Sequence, residues 1–378
     1  MIPFNKPYVS GNEYSYIQEV IASGKIASNG KFTTKCELFF EERYGFKRAL
    51  LTTSCTTALE MAALLIDIKP GDEIIVPSYT YVSTANVFEK LGAKVVFVDS
   101  CVEFPNLDSE NLEKLITPKT KAIVPMHYAG VSCDMDCIME IAERHQLFVI
   151  EDAAMSINNT YGNKYIGSLG HFAAFSFHET KNISCGEGGL LVVNDQKFIE
   201  RAEILRDKGT NRKQFLKGAV DKYEWVDIGG SFAPNEITAA YLFAQLENLD
   251  LIQNKRLEIW NAYFKEYETI ESHLIDIPKI PSHSQSNGHG FFVVCNSKET
   301  RDDLIHFMAK KDIQLSFHYQ ALHQSKYYLD RNHQIIQLPN AESFSDCLVR
   351  LPLYVEMEIE EVQEICGEVQ EFLRECRI

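Results

Sequence analysis

Through the first two thirds of the chain, short unbroken apolar runs alternate with stretches of helical periodicity. The runs are Glu73–Val76, Val95–Val98, Ala122–Pro125, Leu147–Ile150, Ala173–Phe177 and Leu190–Val193. They are continuous rather than alternating, as expected of strands covered on both faces. Helical stretches such as Thr57–Ile66 and Met135–His145 lie between them, so the pattern predicts βαβ units. The expected architecture is α/β: a mostly parallel central sheet flanked by helices. From about Ala239 the texture changes. A long helical pattern runs through Gln245, Lys255 and Trp260, and a strand is predicted near Phe291–Cys295. A helix near Thr300–Lys310, a strand near Ile313–Phe317 and helices near Ala341 and Glu360 follow. These predict a smaller α+β domain over 246–378, after a large domain over 1–245. No flexible linker marks the join, so the long helix is expected to bridge the two.

A length of 378 residues suits one large core plus a smaller one. A net charge of −16 argues against a nucleic-acid partner, because phosphate backbones select basic faces. The ten cysteines are scattered and form no CxxC, so free thiols in a reducing compartment are expected and a metal site is not. The start, Met1-Ile2-Pro3-Phe4, lacks a basic-then-apolar signal pattern, and no apolar run reaches the ~20 residues that span a bilayer. The expectation is a cytoplasmic protein with no membrane partner.

Polar residues gather just after the apolar runs: Ser78-Tyr79-Thr80-Tyr81, His127-Tyr128, Glu151-Asp152 and His178. In a parallel sheet those are the carboxyl ends, where ligands bind. Lys181 follows one such run and precedes the glycine-rich Gly186-Glu187-Gly188-Gly189. A lysine desolvated at the mouth of a sheet attacks carbonyl compounds. Asp152, also at a strand end, is placed to keep a pyridine nitrogen protonated, so that the ring accepts electrons. Alone, the lysine also reads as a surface residue and the aspartate as a helix cap.

The segment Leu51–Glu60 reads as a loop opening a helix, where hydroxyls and free N–H groups favour an anion. It reads equally as a capping box, with Thr56 or Thr57 as cap and Glu60 reaching back. Ser176 offers a second hydroxyl. Tyr81 is an aromatic able to stack on a pyridine ring or to pack in a core, and Ala154 is small enough to admit a ring on the opposite face.

The stretches TSCTTALEMAALL, PSYTYVSTAN, VPMHYAG, EDAA, FSFHETKN and GEGG resemble the DegT/DnrJ/EryC1/StrS family of nucleotide-sugar aminotransferases. The likeness runs from Ile2-Pro3-Phe4 to Leu351-Pro352-Leu353. It implies the fold type I architecture of enzymes dependent on pyridoxal 5′-phosphate (PLP), working as homodimers with shared active sites. It implies Lys181 as the lysine joined to PLP as a Schiff base, Asp152 on the pyridine nitrogen and Tyr81 on the ring face. Ser54, Cys55, Thr56 and Ser176 would contact the phosphate, and Ala154 and Met155 would line the cofactor. His127, His178, His318 and Tyr319 would lie near donor or sugar. The implied substrates are L-glutamate and dTDP-4-dehydro-6-deoxyglucose, aminated at C4 with the galacto product favoured. The gluco epimer, a C3 amination and a non-catalytic PLP or nucleotide-sugar binder are the alternatives.

Two positions depart from the family pattern. Met155 occupies a place usually held by Gln or His, and a thioether is a poor acceptor and no donor. Ser231 takes the place of an Asn that many members offer to the other subunit's phosphate, with Ala233 where an Arg is common.

Overall fold

The computed structural model describes residues 1–270, 272–277, 279–332 and 335–376. Strands β1 (Arg48–Thr52), β2 (Glu73–Pro77), β3 (Lys94–Val98), β4 (Thr120–Ile123) and β5 (Phe148–Asp152) come first. A small hairpin of β6 (Thr160–Tyr161) and β7 (Lys164–Tyr165) follows, then β8 (Phe172–Ser176) and β9 (Gly189–Val193). Seven of these form one sheet in the order β1-β9-β8-β5-β4-β2-β3. The pairs β2–β3, β2–β4, β4–β5 and β5–β8 are parallel, as expected where helices cover both faces. Helices Cys55–Leu65, Ser83–Glu89 and Met135–His145 supply crossovers between β1 and β2, β2 and β3, and β4 and β5.

Strand β9 runs antiparallel to both of its neighbours, because the chain returns from β8 through a loop instead of a helix. Every sheet strand except β9 therefore ends at one edge, and β9 starts there: Thr52 and Ser176 both pair with Gly189. This edge carries the functional side chains.

Three expectations are corrected. Leu51 and Thr52, read as the start of a loop over Leu51–Glu60, end strand β1, whose register is set by pairing with residues 189–193 far along the chain. The long helix is two helices, Glu236–Glu247 and Leu249–Tyr267. At the break, the Ala244 carbonyl accepts from the Asn248 side-chain amide and from the Ser10 hydroxyl, both at 3.1 Å, in place of the helix backbone. Residues 313–317 make no strand; they form single bridges, Ile313 to Ile2 and Ser316 to Arg350.

Strands β10 (Ile275–Asp276), β11 (Phe291–Cys295) and β12 (Leu348–Leu351) form a second, antiparallel sheet. Its core joins Phe291 and Val349 to Tyr263, Val369 and the N-terminal Ile2. Helix Leu249–Tyr267 serves two cores: Leu249 and Ile252 pack with Phe40 and Leu190, and Ile259 and Tyr263 pack with Phe291.

One buried acid ties distant segments together. Glu236 accepts from the N–H groups of Gly30 and Phe32 at 2.8 Å and of Thr33 at 3.1 Å, and from the Thr33 hydroxyl. These are the orphan donors that open helix Lys31–Tyr44, whose glycine N-cap has no side chain to serve them. A side chain at Gly30 would collide with the Glu236 carboxylate. Glu236→Ala should therefore cost about 3 kcal/mol, since it strands several buried donors at once. A urea midpoint unchanged from wild type would contradict this.

Candidate active site

The carboxyl edge of the main sheet and one end of the small sheet enclose a cavity of about 730 Å³. Lys181 and Asp152 both line it. Lys181 arrives on the loop between β8 and β9, which is closed by bonds from Glu179 N–H to Gly186 at 3.0 Å and from Cys185 N–H to Phe177 at 3.0 Å. Gly186 turns that loop with φ +80°, and any side chain at Gly189 would strike the Ser54 backbone. Among the described residues, the Lys181 amine has no hydrogen bond or ion pair. Burial holds its pKa below the ordinary lysine value, Arg350 lowers it further, and Asp152 offsets part of this.

Asp152 ends β5 rather than following it. Its Oδ2 accepts from the Thr84 hydroxyl at 2.7 Å and its Oδ1 from the Ala154 N–H at 3.1 Å. Thr84 has one proton and gives it to the acid, so Thr80, 2.8 Å away, donates to Thr84. Burial pushes the Asp152 carboxyl above its ordinary range, against the pull of Thr84 and Ala154. A cation placed opposite would return it to carboxylate.

Ser54, Cys55 and Thr56 also line the cavity, at the start of helix Cys55–Leu65. The cap is Ser54, whose Oγ accepts from Thr57 N–H at 3.1 Å, instead of the Thr56 or Thr57 considered from sequence. Glu60 is 2.7 Å from Lys90 and forms no capping box. Thr56 bonds Ser83 at 2.7 Å, so hydroxyls from two helix starts meet at one place.

Tyr81 is 57% exposed, lines the cavity and lies 6.0 Å from the Tyr319 ring, so it is not a core tyrosine. Ala154, Ser176, His178, His318 and Tyr319 face the same space. His178 Nδ1 accepts from Thr180 N–H at 3.3 Å, which leaves its Nε2 side toward Glu187 at 3.7 Å. His318 stacks on Tyr319 at 3.6 Å, bonds the Tyr128 hydroxyl at 2.7 Å and is held well below the ordinary histidine range by burial. Met155 also faces the cavity, and its sulfur accepts from Ala129 N–H at 3.3 Å. The thioether thus serves a turn in which Ala129, a non-glycine, holds φ +49°.

Two expected residues lie elsewhere. His127 is 0% exposed and does not line the cavity. Its Nδ1 accepts from Cys133 N–H at 3.1 Å and its Nε2 faces Glu151 at 3.2 Å, so both ring nitrogens are occupied in the core behind Asp152. Ser231 is exposed, bridges Asp207 and lies outside this chain's cavity. Conversely, Thr84, Ser83, His289 and Arg350 belong to the site and were not singled out from sequence. Thr84 and Ser83 lie within PSYTYVSTAN, but nothing local names their partners.

The set suits PLP: a buried amine with no partner among the described residues for an aldehyde, an acid for a ring nitrogen, and a hydroxyl-lined helix start for a phosphate. The profile of the DegT/DnrJ/EryC1/StrS aminotransferase family matches residues 7–370. The chain belongs to that family. It is similar to protein MJ1066 of Methanocaldococcus jannaschii, at 33% identity over 100% of this chain and 98% of the other. Spr1654 of Streptococcus pneumoniae in its PMP form superposes with a TM-score of 0.92 at 25% identity, over 99% of this chain and 100% of that one. It has also been solved in a PLP form. PseC of Helicobacter pylori, an aminotransferase of pseudoaminic acid biosynthesis, matches with a TM-score of 0.90 at 26% identity over 99% of both chains. The family member described here is thus a PLP-dependent transaminase of fold type I. Among the described residues, no helix is long and apolar enough to cross a membrane.

Proposed function

We propose that this enzyme is a nucleotide-sugar aminotransferase that moves the amino group of L-glutamate to the 4-keto group of dTDP-4-dehydro-6-deoxyglucose. The product is a dTDP-4-amino-4,6-dideoxyhexose, with the galacto configuration favoured, for surface polysaccharide synthesis. The observation that carries the transfer chemistry is that Asp152 and a buried Lys181 amine, without a hydrogen bond or ion pair among the described residues, line one large cavity. Support for a sugar acceptor comes from Spr1654, named for a sugar aminotransferase role, and from PseC. Support for this acceptor comes from the segments His178–Asn182, Lys208–Arg212 and Asp221–Tyr223, which resemble those of dTDP-4-amino-4,6-dideoxygalactose transaminases. In this reading it acts in the cytoplasm as a homodimer, with residues 1–245 as the cofactor domain and Ser231 offered to the partner's site.

PLP, once bound, supplies an electron sink for the carbanion that forms at the reacting carbon. Lys181 would hold the aldehyde carbon covalently at rest and, when freed, would move a proton from the donor's α-carbon as general base. Its depressed pKa keeps more of the amine in the free form that this task needs. Asp152, oriented by Thr84 and Ala154, would hold positive charge on the ring nitrogen. Ser54, Cys55, Thr56 and Ser176 would hold the phosphate, and Tyr81 one ring face. His178, His318 and Tyr319 line the side left for donor and sugar.

The test is a product analysis. Incubation with L-glutamate and dTDP-4-dehydro-6-deoxyglucose should release 2-oxoglutarate and an amino sugar whose C4 configuration NMR reads as axial. An amine at C3, or no product, would refute the proposed acceptor.

A further inference from the structure

Asn182, the residue after Lys181, fixes the hydrogen positions of a histidine in the cavity wall. Its side-chain amide meets the Asn287 carbonyl at 3.0 Å, the Gln253 Oε1 at 3.1 Å and His289 Nδ1 at 2.8 Å. A backbone carbonyl can only accept, so the Asn182 NH₂ faces Asn287 and its Oδ1 faces His289. His289 Nδ1 therefore carries a hydrogen and donates it. Asn287 anchors the same histidine. Its Nδ2 donates to the carbonyls of Met155 at 2.8 Å and Ile157 at 2.9 Å, and its Oδ1 accepts from the His289 backbone N–H at 3.0 Å. Asn182, Gln253 and Asn287 are all buried, so the imidazole rests on a satisfied polar support.

Burial, and then the charges of Lys181, Arg256 and Arg350, hold His289 well below the ordinary histidine range, so the ring is neutral. A neutral imidazole has one hydrogen. With that hydrogen on Nδ1, Nε2 is a bare acceptor, and among the described residues it has no hydrogen-bond partner. His289 lines the main cavity together with Lys181, and also a chamber of about 30 Å³ beside it. Such a space holds about two waters and no substrate. Arg350, a wall of both spaces, brings a buried Nε without a partner, which is a donor for a water there.

A transaminase moves two kinds of proton. Lys181 serves the one on the α-carbon. The other belongs to the water that cuts the carbon–nitrogen bond and releases the keto product, and it needs its own acceptor. We infer that His289 Nε2 takes the proton of this water, and that the small chamber is where the water waits. The water oxygen adds to the carbon of the protonated carbon–nitrogen double bond and gives one proton to Nε2. Nε2 passes that proton to the nitrogen, which leaves with the bonding electron pair. The remaining hydroxyl proton goes to Nε2 and then to solvent. The products are a keto acid and an amine, with no oxidant or reductant consumed. The carboxylate of a bound amino acid opposes the cationic charges around His289, which raises the proton affinity of Nε2 when water must be deprotonated.

The inference rests on the transaminase activity, and the test follows one half-reaction of holoenzyme mixed with L-glutamate. The visible band of bound PLP reports the stages up to loss of the α-proton. Free 2-oxoglutarate, read with an excess of a 2-oxo acid reductase, reports release. H289N keeps an amide donor in the place of Nδ1 and deletes Nε2; H289Q puts at Nε2 an amide that takes up no proton. In both, the band should fall at the wild-type rate while release slows by about 10²-fold, the lower range for a positioned general base. Release at the wild-type rate in a folded variant overturns the inference. So does equal slowing of both stages, which would make His289 a support and not the base. Wild type gives an independent reading: release should slow in D₂O, and no slowing also overturns the inference. Melting temperature and the visible band report whether each variant is folded; if neither is, the D₂O comparison decides. If L-glutamate leaves the band unchanged in wild type, the proposed donor fails. The amino acid that does bleach the band then replaces it, with release of its own keto acid as the readout.

Discussion

Replacing Lys181 with alanine is expected to reduce transamination by ~10⁴-fold or more, the upper range for removing a positioned general base. The substitution also removes the nucleophile that holds the aldehyde. The expected result is a folded protein with no detectable 2-oxoglutarate release and an altered visible spectrum of any PLP it retains. Folding should survive, because the Lys181 amine makes no hydrogen bond or ion pair among the described residues. A second reading follows from its environment. Burial first, and Arg350 next, hold the amine below the ordinary lysine value. In cofactor-free protein, one lysine should therefore react with an amine-directed reagent at lower pH than the surface lysines. That early-reacting site should be absent from K181A. An alanine variant that transferred amino groups at wild-type rate would end the assignment of Lys181.

Asp152→Asn should give the second-largest effect, roughly a 10²- to 10³-fold loss of kcat. It corresponds to leaving one charge of a buried pair without its partner, about 3–5 kcal/mol. The cofactor-free protein should behave in the opposite sense. Burial raises the Asp152 pKa in the fold above its unfolded value, so the folded state favours the neutral acid. As pH rises above the unfolded carboxylate value, that preference turns into a destabilisation. Asparagine removes it, so cofactor-free D152N should melt no lower than wild type at neutral pH, while gaining less than wild type on PLP addition. A large drop in the melting temperature of the cofactor-free variant would show instead that the Asp152 charge is already paired inside the protein.

Much of this organisation was readable along the chain. Strands β2, β3, β5, β8 and β9 announce themselves because a strand buried on both faces must be apolar without interruption. Once they are placed, strand-end chemistry follows, which is how Asp152 and Lys181 could be brought to one edge before any coordinates. Strand β1 was missed for a related reason. Its apolar part, Ala49-Leu50-Leu51, is short and runs into a hydroxyl-rich loop, and its partner lies in β9. The break at Asn248 was missed because side-chain hydrogen bonds from Asn248 and the distant Ser10 to the Ala244 carbonyl accompany it, while the helical pattern continues on both sides.

By itself, the sequence determined the α/β class, the order along the chain of β2, β3, β5, β8 and β9, and the two titratable residues on which a transaminase reading depends. These are properties of local periodicity and of positions close to strand ends. Only the tertiary structure decided which side chains meet across long separations. It turned His127 into the core against Glu151, used the Met155 sulfur to satisfy Ala129, and brought Thr84 to Asp152. It also left Arg350 facing the cavity with no carboxylate paired to it among the described residues. A side chain's partner depends on packing that no short window of sequence contains: in the three contacts of His127, Met155 and Thr84 the partners lie 24, 26 and 68 residues apart.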